Sequence, residues 1–174
     1  HKGHAVEKIR LFWENLNKYV EKIHKRGITI CGIDANGQLG AGNNGTKHDK
    51  TVGMWTNAKR TERGNGTYLR NWCTRTGLIP MNKWKQQTPN SQNDEYATWT
   101  HPGKTVKRQI DYILVNQRYR NCVKNCESKR NWFANPNLVG QQRYAIILDF
   151  QLRFKNTNEK IGNKLRKASL FHMT

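Results

Sequence analysis

Gly27-Ile28-Thr29-Ile30-Cys31-Gly32-Ile33-Asp34-Ala35-Asn36-Gly37-Gln38-Leu39-Gly40 is the stretch on which the fold turns. From Ile28 to Ile33 the residues are apolar and often β-branched, the composition of a buried strand. Ahead of them, Ala5, Ile9, Phe12, Trp13, Leu16, Tyr19, Val20 and Ile23 recur at helical spacing over residues 5–25, with Glu7, Lys8, Glu14, Lys18 and Lys22 largely between them. That pattern predicts an amphipathic helix with one apolar stripe to bury, stopped by Gly27. A helix feeding directly into a buried strand implies an α/β layer. After Ile33 the chain to Lys50 is rich in Gly and Asn and reads as a loop.

Working outward, Asn65 to Thr76 predicts a second helix with Leu69, Trp72 and Cys73 on one face, ended by Gly77. Strands are expected at Leu78–Met81, Tyr96–Thr100, Gln109–Val115, Cys122–Ser128 and Tyr144–Phe154, with a polar, irregular stretch from Lys83 to Glu95. The 174 residues suit one domain, placed at 1–154, followed by a basic tail at 155–174 that frays. The chain opens on His1 rather than Met and reads as a piece of a longer protein.

Lys and Arg number 31 against 12 Asp and Glu, a net charge of +19 spread along the whole length. Such a field draws polyanions, so nucleic acid is the leading partner; a solvated cationic face or an anionic membrane surface is the alternative. No apolar run approaches the roughly 18 residues needed to span a bilayer, and no signal peptide is visible. Cys31, Cys73, Cys122 and Cys126 match no zinc spacing and read as free thiols, with two disulfides as the alternative. His1, His4, His24 and His48 form no set of metal ligands.

Three places carry candidate chemistry. Asp34 and Asn36 stand where the first strand ends. A carboxylate and an amide oxygen pointing the same way can hold a hard cation or polarise a phosphate. Asp and Asn also simply make turns, and spacing alone does not separate the two readings. In Gln109-Ile110-Asp111-Tyr112-Ile113-Leu114-Val115, Ile110, Tyr112 and Leu114 share one strand face, and Asp111, Ile113 and Val115 the other. Asp111 is thus an acid on an apolar face and needs a partner: a His, an Arg or a metal, or a structural salt bridge to Arg108 or another cation. Third, Thr98-Trp99-Thr100-His101-Pro102-Gly103-Lys104 with Lys107 and Arg108 joins aromatic and cationic groups. Aromatic faces stack on bases and cations grip phosphates; Lys104, Lys107 and Arg108 read as nucleic-acid contacts, and Trp99 reads as core or, alternatively, as a base-stacking contact beside them. Gly40, Gly45, Thr46 and Lys47 suggest a phosphate loop, but the Lys follows the Thr and no helix begins there.

In this order the blocks resemble the endonuclease/exonuclease/phosphatase family, and within it the endonucleases of LINE-type retrotransposons, including craniofacial development protein 2-like domains. Gly32-Ile33-Asp34-Ala35-Asn36-Gly37 is similar to the family's "GDxNA" loop. Asn65-Gly66, Leu69, Cys73, Gly77-Leu78-Ile79 and Asn82 follow its next helix and strand. Thr98-Trp99-Thr100-His101-Pro102 resembles its "TW..P" strand, and Gln109 to Val115 its "QIDYILV" strand. The resemblance covers about residues 5–155. It implies the second half of a two-sheet α/β sandwich, truncated at its N-terminus, and hydrolysis of a phosphodiester assisted by Mg²⁺ or Mn²⁺. By the match Asp34 orients or activates water, Asn36 stabilises the transition state, and Asp111 holds the catalytic His; Asp34 and Asn36 are the expected metal-site residues.

The departures weigh as much as the matches. Where the family reads "SDH", this chain reads Gln141-Gln142-Arg143. Arg143 cannot act as a base because it stays protonated, and Gln142 has no charge to hold a metal; Arg143 is left to bind phosphate or pair with Asp111. The family's first half, with its metal-binding Glu, is also absent. Losing several members of one catalytic unit removes most of its rate. The expectation is a DNA-nicking endonuclease fold with hydrolysis impaired or lost. The alternatives are a non-catalytic nucleic-acid-binding remnant and, less favoured by the charge, a phosphatase of the same fold. A half-sandwich would bare a sheet face and self-associate. The presumed substrate puts the chain in the nucleus or cytoplasm.

Overall fold

The computed structural model describes residues 2–23, 27–40, 51–53, 64–84, 96–103, 106–129 and 143–152. Helix α1 spans Lys2–Lys22, and its buried stripe is narrower than the spacing suggests. Trp13 is buried, with Ile9, Leu16 and Val20 packed partly buried beside it, yet Phe12 is 55% and Tyr19 69% exposed. Residues advance about 100° around a helix, so Phe12 and Tyr19 fall on the flank of a stripe centred on Trp13. Asn17, one turn on, takes a buried place instead, its Nδ2 donating to Glu21 Oε1 at 2.5 Å.

The remaining elements are β1 (Ile30–Asp34), α2 (Asn65–Thr76), β2 (Leu78–Pro80), β3 (Trp99–Thr100), β4 (Lys107–Arg108), β5 (Asp111–Asn116), β6 (Val123–Lys129) and β7 (Ala145–Phe150). Turns of 3₁₀ helix cover Met81–Lys83 and Gln117–Cys122. Helix α2 has the expected bounds. Gly77 ends it at φ 69°, a left-handed position that glycine takes without strain, and its N–H bonds Cys73 O.

The main sheet runs β1-β5-β2, antiparallel throughout. Tyr112, Leu114 and Leu78 face the helices and share a core with Trp13, Leu69, Trp72 and Cys73; the Trp13 and Trp72 rings, 5.7 Å apart, join α1 to α2. Ile79 and Val115 face the other way, against Val123 and Cys126 of β6 and Ile146, Leu148 and Phe150 of β7. The alternation read in Asp111 to Val115 therefore holds, because each sheet face has its own layer to pack on. This second layer stops short of β1, where Ile30 stays 38% exposed. The chain is thus an α/β fold of mixed helices and antiparallel sheets. Strand β3 is shorter than expected, and β4, which pairs with it, was not expected at all. Among the described residues no helix is long and apolar enough to cross a membrane. The tail at 155–174 lies outside the described residues.

Candidate functional site

Strand β1 ends at Asp34 and β5 begins at Asp111, and the antiparallel register sets these two directly opposite each other. Cross-strand partners stand about 4.5–5.5 Å apart at Cβ, where like charges repel. The sheet being antiparallel, the loop after β1 meets the start of β5, and the segment that follows β2 comes to the same end.

The relief comes from Arg143. Its Nη1 donates to Asp111 Oδ1 at 2.8 Å and its Nη2 to Asp34 Oδ2 at 2.9 Å. One guanidinium thus spans two carboxylates, one nitrogen to each. The Arg143, Asp34 and Asp111 side chains are 50%, 41% and 20% exposed. Pairs open to solvent to this extent contribute only ~0–1 kcal/mol each.

The backbone fixes where Arg143 sits. Arg143 bridges Trp99 as an antiparallel partner, and Tyr144 N–H donates to Thr98 O at 2.9 Å. Tyr144 Oη and Thr100 Oγ1 share a hydrogen bond of 2.9 Å. Thr98, fully buried, accepts the N–H groups of Ile110 and Asp111 on its hydroxyl oxygen at 2.9 and 3.0 Å. The segment 98–100 therefore holds both the start of β5 and the approach to β7.

Asp111 is pushed above the ordinary carboxylate range. Burial is the main cause and the Asp34 charge adds to it; the nearby Thr98 hydroxyl and the Arg143 guanidinium pull the other way. Its Oδ2 is buried with no partner in hydrogen-bond geometry. The salt-bridge reading of Asp111 is the one observed, with Arg143 rather than Arg108 as the partner.

Asn36 makes a turn. Its N–H donates to Asp34 Oδ1 at 3.0 Å, the side-chain bond to the backbone two residues on that Asp favours, and its φ of 46° is left-handed. The extended backbone ends before Asn36, so Asp34 and Asn36 do not project side by side from a strand.

Behind this turn the loop is pinned from below. Leu39 N–H donates to the Tyr112 oxygen at 2.9 Å, and the Tyr112 hydroxyl reaches Gln109 O at 2.8 Å and Gly37 O at 3.2 Å. Burial raises the Tyr112 phenol above the usual tyrosine range. Lys83, fully buried, donates its Nζ to Leu39 O and Gly40 O at 2.9 Å each. Asn82 Nδ2 donates to Asp111 O at 3.0 Å. Sequence reasoning missed Lys83 and Tyr144, gave Thr98 no role of its own within the Thr98–Lys104 segment, and read Tyr112 as apolar. The phenol was the available signal, since a buried tyrosine hydroxyl needs a partner; nothing in the sequence marked Lys83.

The cationic residues group beside the acids. Trp99 pairs with Arg108 on one side and Arg143 on the other. Directly paired residues share a face, which makes a row Arg108–Trp99–Arg143. Trp99 is half-buried, between the core and contact readings, with its ring edge on His101. Lys107 is half-buried and Arg108 exposed. Lys104 and Gln142 lie outside the described residues.

A divalent cation needs several oxygens turned toward it. Here Asp34 Oδ2 and Asp111 Oδ1 each carry an arginine nitrogen and Asp34 Oδ1 carries the Asn36 N–H. Among the described residues no three His, Cys, Asp or Glu side chains group as a metal site. As placed, the carboxylate pair fits a guanidinium and not a divalent ion.

No protein-family model and no curated protein matches the chain. Among solved structures it is similar to the endonuclease domain of TRAS1, a telomere-specific non-LTR retrotransposon, with a TM-score of 0.51 and 16% identity. The match covers 84% of this chain and 53% of that one. The chain therefore spans about half the length of the solved domain it matches, and what the two share is an endonuclease-like fold.

Proposed function

We propose that the chain is an endonuclease-fold domain of retrotransposon origin that holds nucleic acid without hydrolysing it. The observation that carries this reading is Arg143 lying across Asp34 and Asp111. Activating a water needs a carboxylate oxygen free to take its proton, and orienting a histidine needs a histidine. Asp34 already accepts the Arg143 guanidinium on one oxygen and the Asn36 N–H on the other, and the side chain paired with Asp111 is one that never gives up its proton. Binding asks for less. A net charge of +19 and the row Arg108–Trp99–Arg143 supply cations for phosphates and an aromatic face beside them. The likeness to a retrotransposon endonuclease domain supports a nucleic-acid ligand over a soluble phosphoester.

The test is nicking of supercoiled plasmid with Mg²⁺ by the chain as it stands, by an Arg143→His, Gln142→Asp double variant, and by Asp34→Ala, alongside duplex binding followed by fluorescence anisotropy across a salt series. The chain is expected to bind with an affinity that falls linearly in log salt, as counterion release requires, and to leave the plasmid intact. Nicking by the unmodified chain that Asp34→Ala abolishes would sink the reading.

A further inference from the structure

We infer that Arg143 is the site's own cation: its guanidinium holds the place on the Asp34–Asp111 pair that a divalent metal would need, and so shuts a latent divalent-cation site. This deepens the reading above and rests on it only for what the lost metal means for hydrolysis.

Two strands bring the carboxylates face to face, an arrangement that repels unless a cation lies between them. Arg143 meets that need from within the chain. Its Cα is fixed by the bridge to Trp99, and the next residue is tied twice, Tyr144 N–H to Thr98 O and Tyr144 Oη to Thr100 Oγ1. The guanidinium therefore stays beside the acids at a high effective concentration, and it is charged at every working pH. Its planar fork suits two carboxylates at once. Two acids and one guanidinium leave one negative charge. The acids thus retain the character of a cation site, while the resident charge repels an incoming ion. A divalent cation enters only if the guanidinium swings away, and the backbone ties keep its Cα beside the acids.

Mn²⁺ alone serves as the probe, titrated by electron paramagnetic resonance into the full chain with no nucleic acid present. The intact chain is expected to show no tight Mn²⁺ that depends on Asp34. Arg143→Ala is expected to bind one Mn²⁺ at least about tenfold more tightly, the effect of removing one unit of nearby like charge. Adding Asp34→Asn should return that variant to the intact level, and Arg143→Lys, which keeps the charge, should stay close to it. Asp34-dependent binding by the intact chain as tight as by Arg143→Ala overturns the proposal, and so does a folded Arg143→Ala that gains nothing. Should Arg143→Ala fail to fold, as circular dichroism would report, Mn²⁺ broadening of amide resonances decides on the intact chain. Unbroadened signals at Asp34 and Asp111 support the clamp, and broadened ones refute it. Duplex binding measured separately in EDTA keeps the two readings apart: its failure removes the nucleic-acid function and leaves the metal result standing.

Discussion

Replacing Tyr112 by Phe takes one oxygen out of the support beneath the Asp34 loop and leaves the ring in place. The hydroxyl accepts the Leu39 N–H at 2.9 Å and turns its proton toward Gln109 O at 2.8 Å, with Gly37 O at 3.2 Å. Tyr112 is 1% exposed, so water does not readily replace what is lost. No cavity opens, and packing terms largely cancel. Two hydrogen bonds at about 1 kcal/mol net each, with a further desolvation cost for partners stranded in the interior, give a loss of about 2–3 kcal/mol. With a urea slope of ~1–3 kcal/mol/M for a small domain, the midpoint should fall by about 0.7–3 M. Urea unfolding followed by tryptophan fluorescence measures this, and amide exchange at Leu39 should quicken in the variant. A loss under about 0.5 kcal/mol, the level of an ordinary surface change, would show that the hydroxyl does not hold the loop. The pH dependence adds a second check. The folded phenol lies above its unfolded value, so its contribution is complete below the unfolded pKa of about 10 and is lost as pH rises toward the folded one. The stability gap between the intact chain and the Tyr112→Phe variant should therefore narrow only above about pH 10.

Gly37→Ala should be more damaging than its single methyl suggests. A Cβ there would lie 2.7 Å from the Asn65 carbonyl carbon and closer still to the Gly66 nitrogen, and overpacking of this kind costs about 1–3 kcal/mol or more; thermal unfolding would report it, and an unchanged midpoint would show that the loop does not abut α2. The four free cysteines should react with a thiol reagent in order of exposure. Half-buried Cys31 and Cys122 should label first, Cys31 slowed by the burial that holds its thiol above its ordinary value, while buried Cys73 and Cys126 wait for unfolding, Cys126 also raised by burial. Rapid labelling of Cys126 in the folded chain would contradict its buried place on β6, packed against Ile79 and Val115 of the main sheet.

Local rules made parts of this fold legible. Helix α2 was read to its bounds because its apolar residues fall on one face and Gly77 supplies the left-handed stop. The two faces of β5 were legible because alternation reports two packed layers. Asp34 and Asp111 stood out by position, one at a strand end and one on an apolar face, and the structure brings them together with Arg143. That they oppose each other was not legible, because register between distant strands is set by tertiary pairing. Lys83 was hidden for a similar reason: in a polar stretch it looks solvated, and only the fold shows that its ammonium ends on the carbonyls of Leu39 and Gly40. The breadth of the α1 stripe was overread, since spacing shows which residues share a face but not how far the neighbouring layer reaches.

The span of the Arg143 clamp bears on how the chain assembles during synthesis. Arg143 lies 109 positions beyond Asp34 and 32 beyond Asp111. Contacts so distant in sequence form late, and chains leave the ribosome N-terminus first. Once β5 has emerged, β1 can pair with it and face one carboxylate with the other, before the residue that reconciles them exists. That end of the β1–β5 ladder is thus the last part of the main sheet to close, and a chain halted before residue 143 would keep it open.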